Sequence, residues 1–247
     1  MILRQFLHHE PVAASYLLGC VGHGAGAVVD PLFPVEPYLE AAQATSIPIR
    51  FVIDTHLHAD HRSAGRALAE AAGAEYVLHE SASTGFPFHA VADGERLVLG
   101  NVVLDVWHVP GHTPEHLCLL VTDRTRADEP WFLLSGHTLM VGDVGRTELA
   151  SDAVRGARDL FRSLARLKTL PDYLEILPGA FAGSVCGRGL SGKPCSTIGF
   201  ERRHNPAFAM ADEAGFTAFM LANIPPPPQG AAANRAANAG LMAKAAE

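Results

Sequence analysis

The sequence predicts a mixed α/β fold in which two β-sheets pack face to face with helices outside. Clusters of short apolar or β-branched runs alternate with single amphipathic helices, and this pattern occurs twice in succession. Size agrees with it: at 247 residues and 26.2 kDa, a folded chain buries roughly 70% of its extended surface, enough for one well-cored domain. No Pro/Gly/Ser linker divides the first 220 residues. The expected organisation is therefore one domain over residues 1–224 and a Pro/Ala-rich C-terminal extension over 225–247.

In chain order, residues 4–8, 13–18 and 25–29 are short runs separated by HHEP and GCVGHG, the pattern of antiparallel strands joined by turns. Helical periodicity begins over 35–44, where Pro37 suits a first turn. Residues 49–53 read as a buried strand that ends at Asp54-Thr55-His56. A helix over 63–72, rich in Ala and Leu, is stopped by Gly73. Further strands are expected at 75–79, 96–99, 102–108, 116–122 and 131–135. A loop over 137–148 precedes an amphipathic helix over 152–168, with Val154, Ala157, Leu160, Phe161, Leu164 and Leu167 as its apolar stripe. Residues 174–177 form a last short strand, followed by a Gly-rich loop (178–194) and a terminal helix near 212–223. The tail from Pro225 begins PPPP, continues in Ala, Asn and Gly, and lacks an apolar face, so loose attachment is expected.

Charge and cysteine usage narrow the function. The balance of 19 basic against 26 acidic side chains, −7 net, disfavours nucleic acid and anionic membrane surfaces and leaves a small-molecule substrate as the better fit. No apolar run approaches the ~20 residues of a bilayer span. The N-terminal MILRQFLHHEP has too short an apolar stretch and no small-residue cleavage site for a signal peptide, so a cytoplasmic location is expected. Cys20, Cys118, Cys186 and Cys195 form no CxxC pair and are expected as reduced, mostly packed thiols.

The chemistry concentrates in histidine. His56-Leu57-His58-Ala59-Asp60-His61 stands where a buried strand gives way to a helix. With 13 histidines in 247 residues, chance supplies HxHxDH about twice in a thousand such chains. Imidazole and carboxylate suit Zn, Fe and Mn, and a strand-end loop can aim alternate side chains into one cavity. Six residues cannot comfortably wrap four ligands round one ion. The natural division sets His56 and His58 towards one position and Asp60 with His61 towards another. Distant ligands are offered by Pro110-Gly111-His112 and Ser135-Gly136-His137, each histidine following a Gly that permits a sharp turn. On residues alone, each of the two can also be an ordinary turn or core histidine.

These motifs resemble the metallo-β-lactamase superfamily. THLHADH, PGHTPEH and SGHTLMVGDVGR carry the resemblance, which runs from the first strands to about Phe208. It implies an αββα sandwich with metals at one edge of the sheets. SGKPCSTIGFERRHNP (191–206) is similar to the C-terminal signature of persulfide dioxygenases, relatives of glyoxalase II, which hydrolyses glutathione thioesters. By that resemblance one Fe(II) is bound through His56, His112 and His137, and O₂ converts glutathione persulfide to sulfite and glutathione.

Two departures shape the reading. The family aspartate in TGD is His137 here, and the histidine of a PGH on the second metal is Ala180. A two-metal hydrolase would lose its carboxylate bridge and a terminal ligand, whereas a single-metal centre survives both changes. Fe(II) is therefore favoured, with zinc as the alternative. His58, Asp60 and His61 become groups that hold the ligands or a bound water, and Asp60 is the base if a metal-bound water attacks. If they were ligands, they would serve a second metal. Asp143 is close enough to replace the lost carboxylate, although a turn role suits it better, and Asp54 is expected to orient the hexad loop. A thiol or persulfide substrate derived from glutathione brings two carboxylates, for which Arg146, Lys193, Arg202 and Arg203 are candidates, an ordinary structural cation being the alternative at each. Cys186 and Cys195 are candidates for reaction with sulfane sulfur. The competing functions are a metallo-hydrolase of glutathione thioesters or related esters and lactones, and a non-catalytic metal-binding derivative. A homodimer is compatible with either.

Overall fold

The protein, seen here as a computed structural model, is described over residues 1–222 and 224–241. The first sheet sets β1 (Ile2–His9), β2 (Val12–Cys20), β3 (Ala25–Val29), β4 (Ile49–Ile53), β5 (Glu75–His79) and β6 (His89–Val91) side by side in sequence order. Its first three strands are antiparallel and the rest run parallel. The crossovers into β4 and β5 carry α1 (Glu36–Ala44) and α2 (Gly65–Ala72), as parallel neighbours require. The second sheet comprises β7 (Arg96–Leu99), β8 (Val102–His108), β9 (Leu117–Asp123), β10 (Phe132–Gly136), β11 (Glu175–Pro178) and β12 (Ser196–Thr197). Its spatial order is β12-β11-β10-β9-β8-β7. Between the parallel β10 and β11 lies α3 (Ala153–Leu167). After β12 come α4 (Ile198–His204), α5 (Pro206–Ala209), α6 (Glu213–Leu221) and α7 (Ala231–Asn238).

Strand alternation divides the side chains between two apolar layers. In β2, Ala14, Tyr16, Leu18 and Cys20 face the opposite sheet, while Leu17 faces Tyr38 of α1 and Leu68 of α2. In β9, Leu117, Leu119 and Val121 enter the inter-sheet core, while Cys118 and Leu120 meet Leu160 and Leu164 of α3 and Phe216 of α6. Both faces of these strands are covered, which is why they read as continuous apolar runs. Each buried Leu or Val contributes roughly 1.5–3 kcal/mol of transfer free energy. The product is the expected helix–sheet–sheet–helix sandwich.

Departures from expectation have local causes. The strands β6 and β12 are three and two residues long, too short to show alternation, and exist because β5 and β11 offer them edges. Asp152 caps α3 by accepting from the Arg155 amide at 2.9 Å, and Val154, expected on the apolar stripe, is exposed. Asn223, the last residue of the expected terminal helix, and residues 242–247 of the extension lie outside the described residues. The expectation of a loose tail is corrected: residues 231–238 form α7, with Ala231, Asn238 and Ala239 buried. It lacks an apolar stripe because it docks through amide and guanidinium groups. All four cysteines are free thiols, three of them buried. No helix among the described residues is long and apolar enough to cross a membrane.

Candidate metal centre

One edge of the sandwich gathers the loop that follows each of several strands. Asp30 follows β3, His56 to His61 follow β4, His112 lies between β8 and β9, His137 follows β10, and Ala180 follows β11. Loops on a rigid sheet edge can carry such groups without disturbing the core. Two glycines make the approach feasible. At Gly111, φ is +146° and a Cβ would lie 2.4 Å from the Leu160 Cα; at Gly136, φ is +51° and a Cβ would lie 2.6 Å from the His116 ring.

The structure brings His56, His112 and His137 together, with one ring nitrogen of each within 4.8 Å of the others. All three are buried. Thr55 Oγ1 donates to Asp30, so it accepts from His56 Nδ1 at 2.9 Å and leaves His56 Nε2 bare. His112 Nδ1 donates to the Arg146 carbonyl at 2.6 Å and likewise frees its Nε2. Burial, then the neighbouring His137, pushes His112 down to about 3, while burial pushes His137 down to about 4 against the pull of Asp60. His56 also falls well below the usual imidazole range, chiefly through burial. Among the described residues, His56 Nε2 and His137 Nε2 have no hydrogen-bond partner, and His112 Nε2 faces His137 Nδ1 at 3.3 Å. Buried, neutral nitrogens without partners are costly. A divalent cation satisfies them, so the residues present fit a metal ion.

Three supporting residues were not singled out from sequence. Asp30 accepts from the Thr55 amide at 2.7 Å and pairs with His58 Nε2 at 3.1 Å. His116 accepts the His137 backbone N–H at 3.0 Å, turns its other nitrogen to Thr138 Oγ1, and stacks on His56 with centroids 4.8 Å apart. Glu115 accepts from the Leu57 amide at 3.0 Å, tying the two motifs together. His116 and Glu115 stand inside PGHTPEH, and Asp30 ends β3 as Asp54 ends β4. Those were the only signals available.

A second buried group, His58, Asp60 and His61, adjoins the first. Burial opposes the charge on His58, but Asp30, with Asp60 and Asp54, raises its pKa well above the usual range. Asp60 is held well below its ordinary value in spite of burial, by the neighbouring imidazoles of His61 and His58. Cys186 Sγ joins Asp60 and His137 in a further cluster, its thiol pushed well up by burial and then by Asp60. Asp54 accepts from Ser63 Oγ and Tyr76 Oη, which lie outside the hexad.

The expected substrate cations fare differently. Arg146 is buried beside the cluster, with its guanidinium bound to Glu148 and to the carbonyls of Val185, Pro225 and Pro226. It supports the site through its carbonyl. The structure does not bring Arg202 or Arg203 to the cluster. Both pair with Asp172, and Arg202 also donates to the Lys168 and Leu170 carbonyls, at the far edge where α3 ends and β11 begins. Lys193 donates to the Cys195 carbonyl at 2.6 Å on the rim of a cavity of about 420 Å³ that also contains Phe200 and His204. Asp143 takes the turn role: it accepts from the Val144, Arg188 and Gly189 amides. Ala180 is buried and offers no donor atom.

Comparison with known proteins agrees with this geometry. A family model described as the metallo-beta-lactamase superfamily matches residues 11–179. The hydroxyacylglutathione hydrolase of Rhodospirillum rubrum is 28% identical over 227 residues, which is 81% of this chain and 84% of that protein. The mitochondrial persulfide dioxygenase ETHE1 of Bos taurus is 24% identical over 232 residues, 93% of this chain and 84% of that one. The crystal structure of a metallo-beta-lactamase from Staphylococcus aureus subsp. aureus COL superposes with a TM-score of 0.92 at 34% identity, over 98% of this chain and 73% of that chain.

Proposed function

Because the chain belongs to the metallo-beta-lactamase superfamily, we propose that it is a persulfide dioxygenase that oxidises a glutathione-derived persulfide to sulfite at one Fe(II). The ligands would be His56, His112 and His137. The observation that carries this reading is the pair of replacements at the sheet edge: an imidazole at 137, where two-metal hydrolases place a bridging carboxylate, and a buried methyl at Ala180, where they place a second-metal histidine. An ion bound by the triad supplies a Lewis acid and, as iron, redox chemistry towards O₂.

The remaining residues act on the ligands and the local charge. Thr55 and the Arg146 carbonyl hold His56 and His112 in the tautomer that presents Nε2. His116 fixes the backbone of His137. Three neutral imidazoles leave a divalent charge uncompensated, and an anionic persulfide sulfur complements it. Asp30 and Asp60 hold His58 charged and engaged, so it supports the ligands instead of binding a second ion.

Protein purified without added zinc should contain one iron per chain and consume O₂ when given glutathione persulfide. Iron-loaded protein that consumes none overturns the proposal. A hydrolase of glutathione thioesters or related esters is the second reading. It is supported by the buried oxygens of Asp60 and nitrogens of His61 that have no hydrogen-bond partner among the described residues. Turnover without O₂ at a two-zinc loading would favour it.

A further inference from the structure

The loop that carries His56, His58, Asp60 and His61 lies between β4 and α2; its Thr55 carbonyl accepts the Leu117 amide of β9 at 2.9 Å, but the carbonyls of Leu57, His58, Ala59 and His61 accept no backbone N–H among the described residues. His56, Leu57, His58, Ala59 and His61 are buried, and buried carbonyls must find donors somewhere. They find them on α7. Arg235 Nη1 donates to the Leu57 carbonyl at 2.8 Å, and its guanidinium grips both carboxylate oxygens of Glu115 at 2.9 and 3.0 Å. That same carboxylate accepts the Leu57 amide, so one ion pair holds both backbone groups of the residue between His56 and His58. Asn238 Nδ2 donates to the carbonyls of His58 and His61 at 2.8 and 2.9 Å, and its Oδ1 accepts the Ser63 amide at 3.0 Å. Asn234 Nδ2 donates to the Ala59 carbonyl at 3.2 Å. Ala239 joins Leu57 and Leu78 in a small apolar cluster.

We propose that α7 is a strap that positions the HLHADH loop for metal binding: Asn234, Arg235 and Asn238 take up the carbonyls of Leu57, His58, Ala59 and His61. A segment that contributes no ligand thereby sets the affinity for the ion. The spacing suits the task. Asn234 and Asn238 are one helical turn apart on one face, and Arg235 beside them reaches across to the β8–β9 loop at Glu115. The forked guanidinium is needed because it serves a carboxylate and a carbonyl at once, which an ammonium cannot do with the same geometry. These are positioning residues, and the inference rests on the metal-site part of the functional reading.

The test uses the full chain, Asn238→Ala, Asn234→Ala/Asn238→Ala, Arg235→Ala and Arg235→Lys. Each is stripped of metal and titrated with Zn(II) against a competing chelator and with Co(II) by visible absorption. Amide hydrogen exchange over residues 56–63 and the melting temperature of the metal-free proteins are measured alongside. Outer groups that orient metal ligands typically control affinity by 10–100-fold. The asparagine variants should lose about that factor, change the Co(II) spectrum and exchange faster over the loop. Arg235→Lys should recover part of the loss seen in Arg235→Ala. If Arg235→Ala fails to fold because Glu115 is left buried and unpaired, the neutral asparagine variants decide the matter. Variants that bind metal with parental affinity and spectrum overturn the strap, whatever their melting temperature. A parental chain that binds no metal overturns the metal-site reading instead.

Discussion

Replacing Asp30 with Asn removes one charge from the floor of the site while nearly preserving its shape. Asp30 accepts from the Thr55 amide and hydroxyl at 2.7 and 2.9 Å, pairs with His58 Nε2 at 3.1 Å, and is buried with it. Unit charges at that separation attract by about 5 kcal/mol at an effective dielectric of about 20. Removal of one partner from a buried pair costs about 3–5 kcal/mol. Asparagine still offers Thr55 an acceptor, so the lower end, about 3 kcal/mol, is expected, a fall in Tm of roughly 6–12 °C for a chain of this size. The pH dependence carries a sign that identifies the cause. Burial works against both charges, yet His58 is raised well above 6.5 and Asp30 is lowered below 3.8 by their mutual attraction and hydrogen bonds. The stabilisation from Asp30 is lost as pH falls through its lowered folded pKa, and that from His58 is lost as pH rises through its raised one. The gap between parent and variant should therefore be widest between pH 3.8 and 6.5, the two unfolded values, and close on the alkaline side as His58 loses its proton and on the acid side as Asp30 gains one. Thermal melts of metal-free protein across pH, with an NMR titration of His58, measure both. A Tm within about 2 °C of the parent, with His58 still charged at neutral pH, would refute the reasoning.

Other perturbations probe the ligands. His56→Ala and His112→Ala should abolish stoichiometric metal binding while His58→Ala spares much of it, as read by metal analysis; equal loss in all three would favour two ions. His137→Asp should tighten the ion by supplying the missing negative charge, and an unchanged chelator titration would place His137 outside the coordination shell. His137 is about 4 folded against 6.5 unfolded, so metal-free protein should lose about 3 kcal/mol from this group as pH falls from 6.5 towards 4. Flat urea stability over that range would argue against a neutral buried imidazole. Gly111→Ala combines a left-handed backbone with a Cβ 2.4 Å from Leu160. It should cost about 2–4 kcal/mol and displace His112, and a parental Tm and metal affinity would show that the β8–β9 loop yields freely.

The centre was legible where its information is local. HLHADH and PGH announce themselves by residue type and spacing, and Gly111 and Gly136 mark the turns that aim His112 and His137. Neither Arg202 nor Arg203 could be placed from composition, because a guanidinium near a signature segment looks the same whether it meets a substrate or Asp172. Asp30 was invisible for a related reason: its partners, Thr55 and His58, lie 25 and 28 residues away and meet it only because β3 pairs with β4.

By itself the sequence determined the alternation of strands and helices, the continuous apolar runs that demand two covered faces, and the imidazoles able to hold an ion. Periodicity and motif spacing act over a few residues, and side-chain chemistry does not depend on what lies opposite. The tertiary structure alone decided what lies opposite. It drew the Ala/Asn tail onto the carbonyls of the HLHADH loop and sent two of the four candidate cations to the far edge of the sheet. It also set an acidic residue beneath His58. Each of these is a pairing between distant segments, governed by which strands become neighbours and which buried polar groups must then be satisfied.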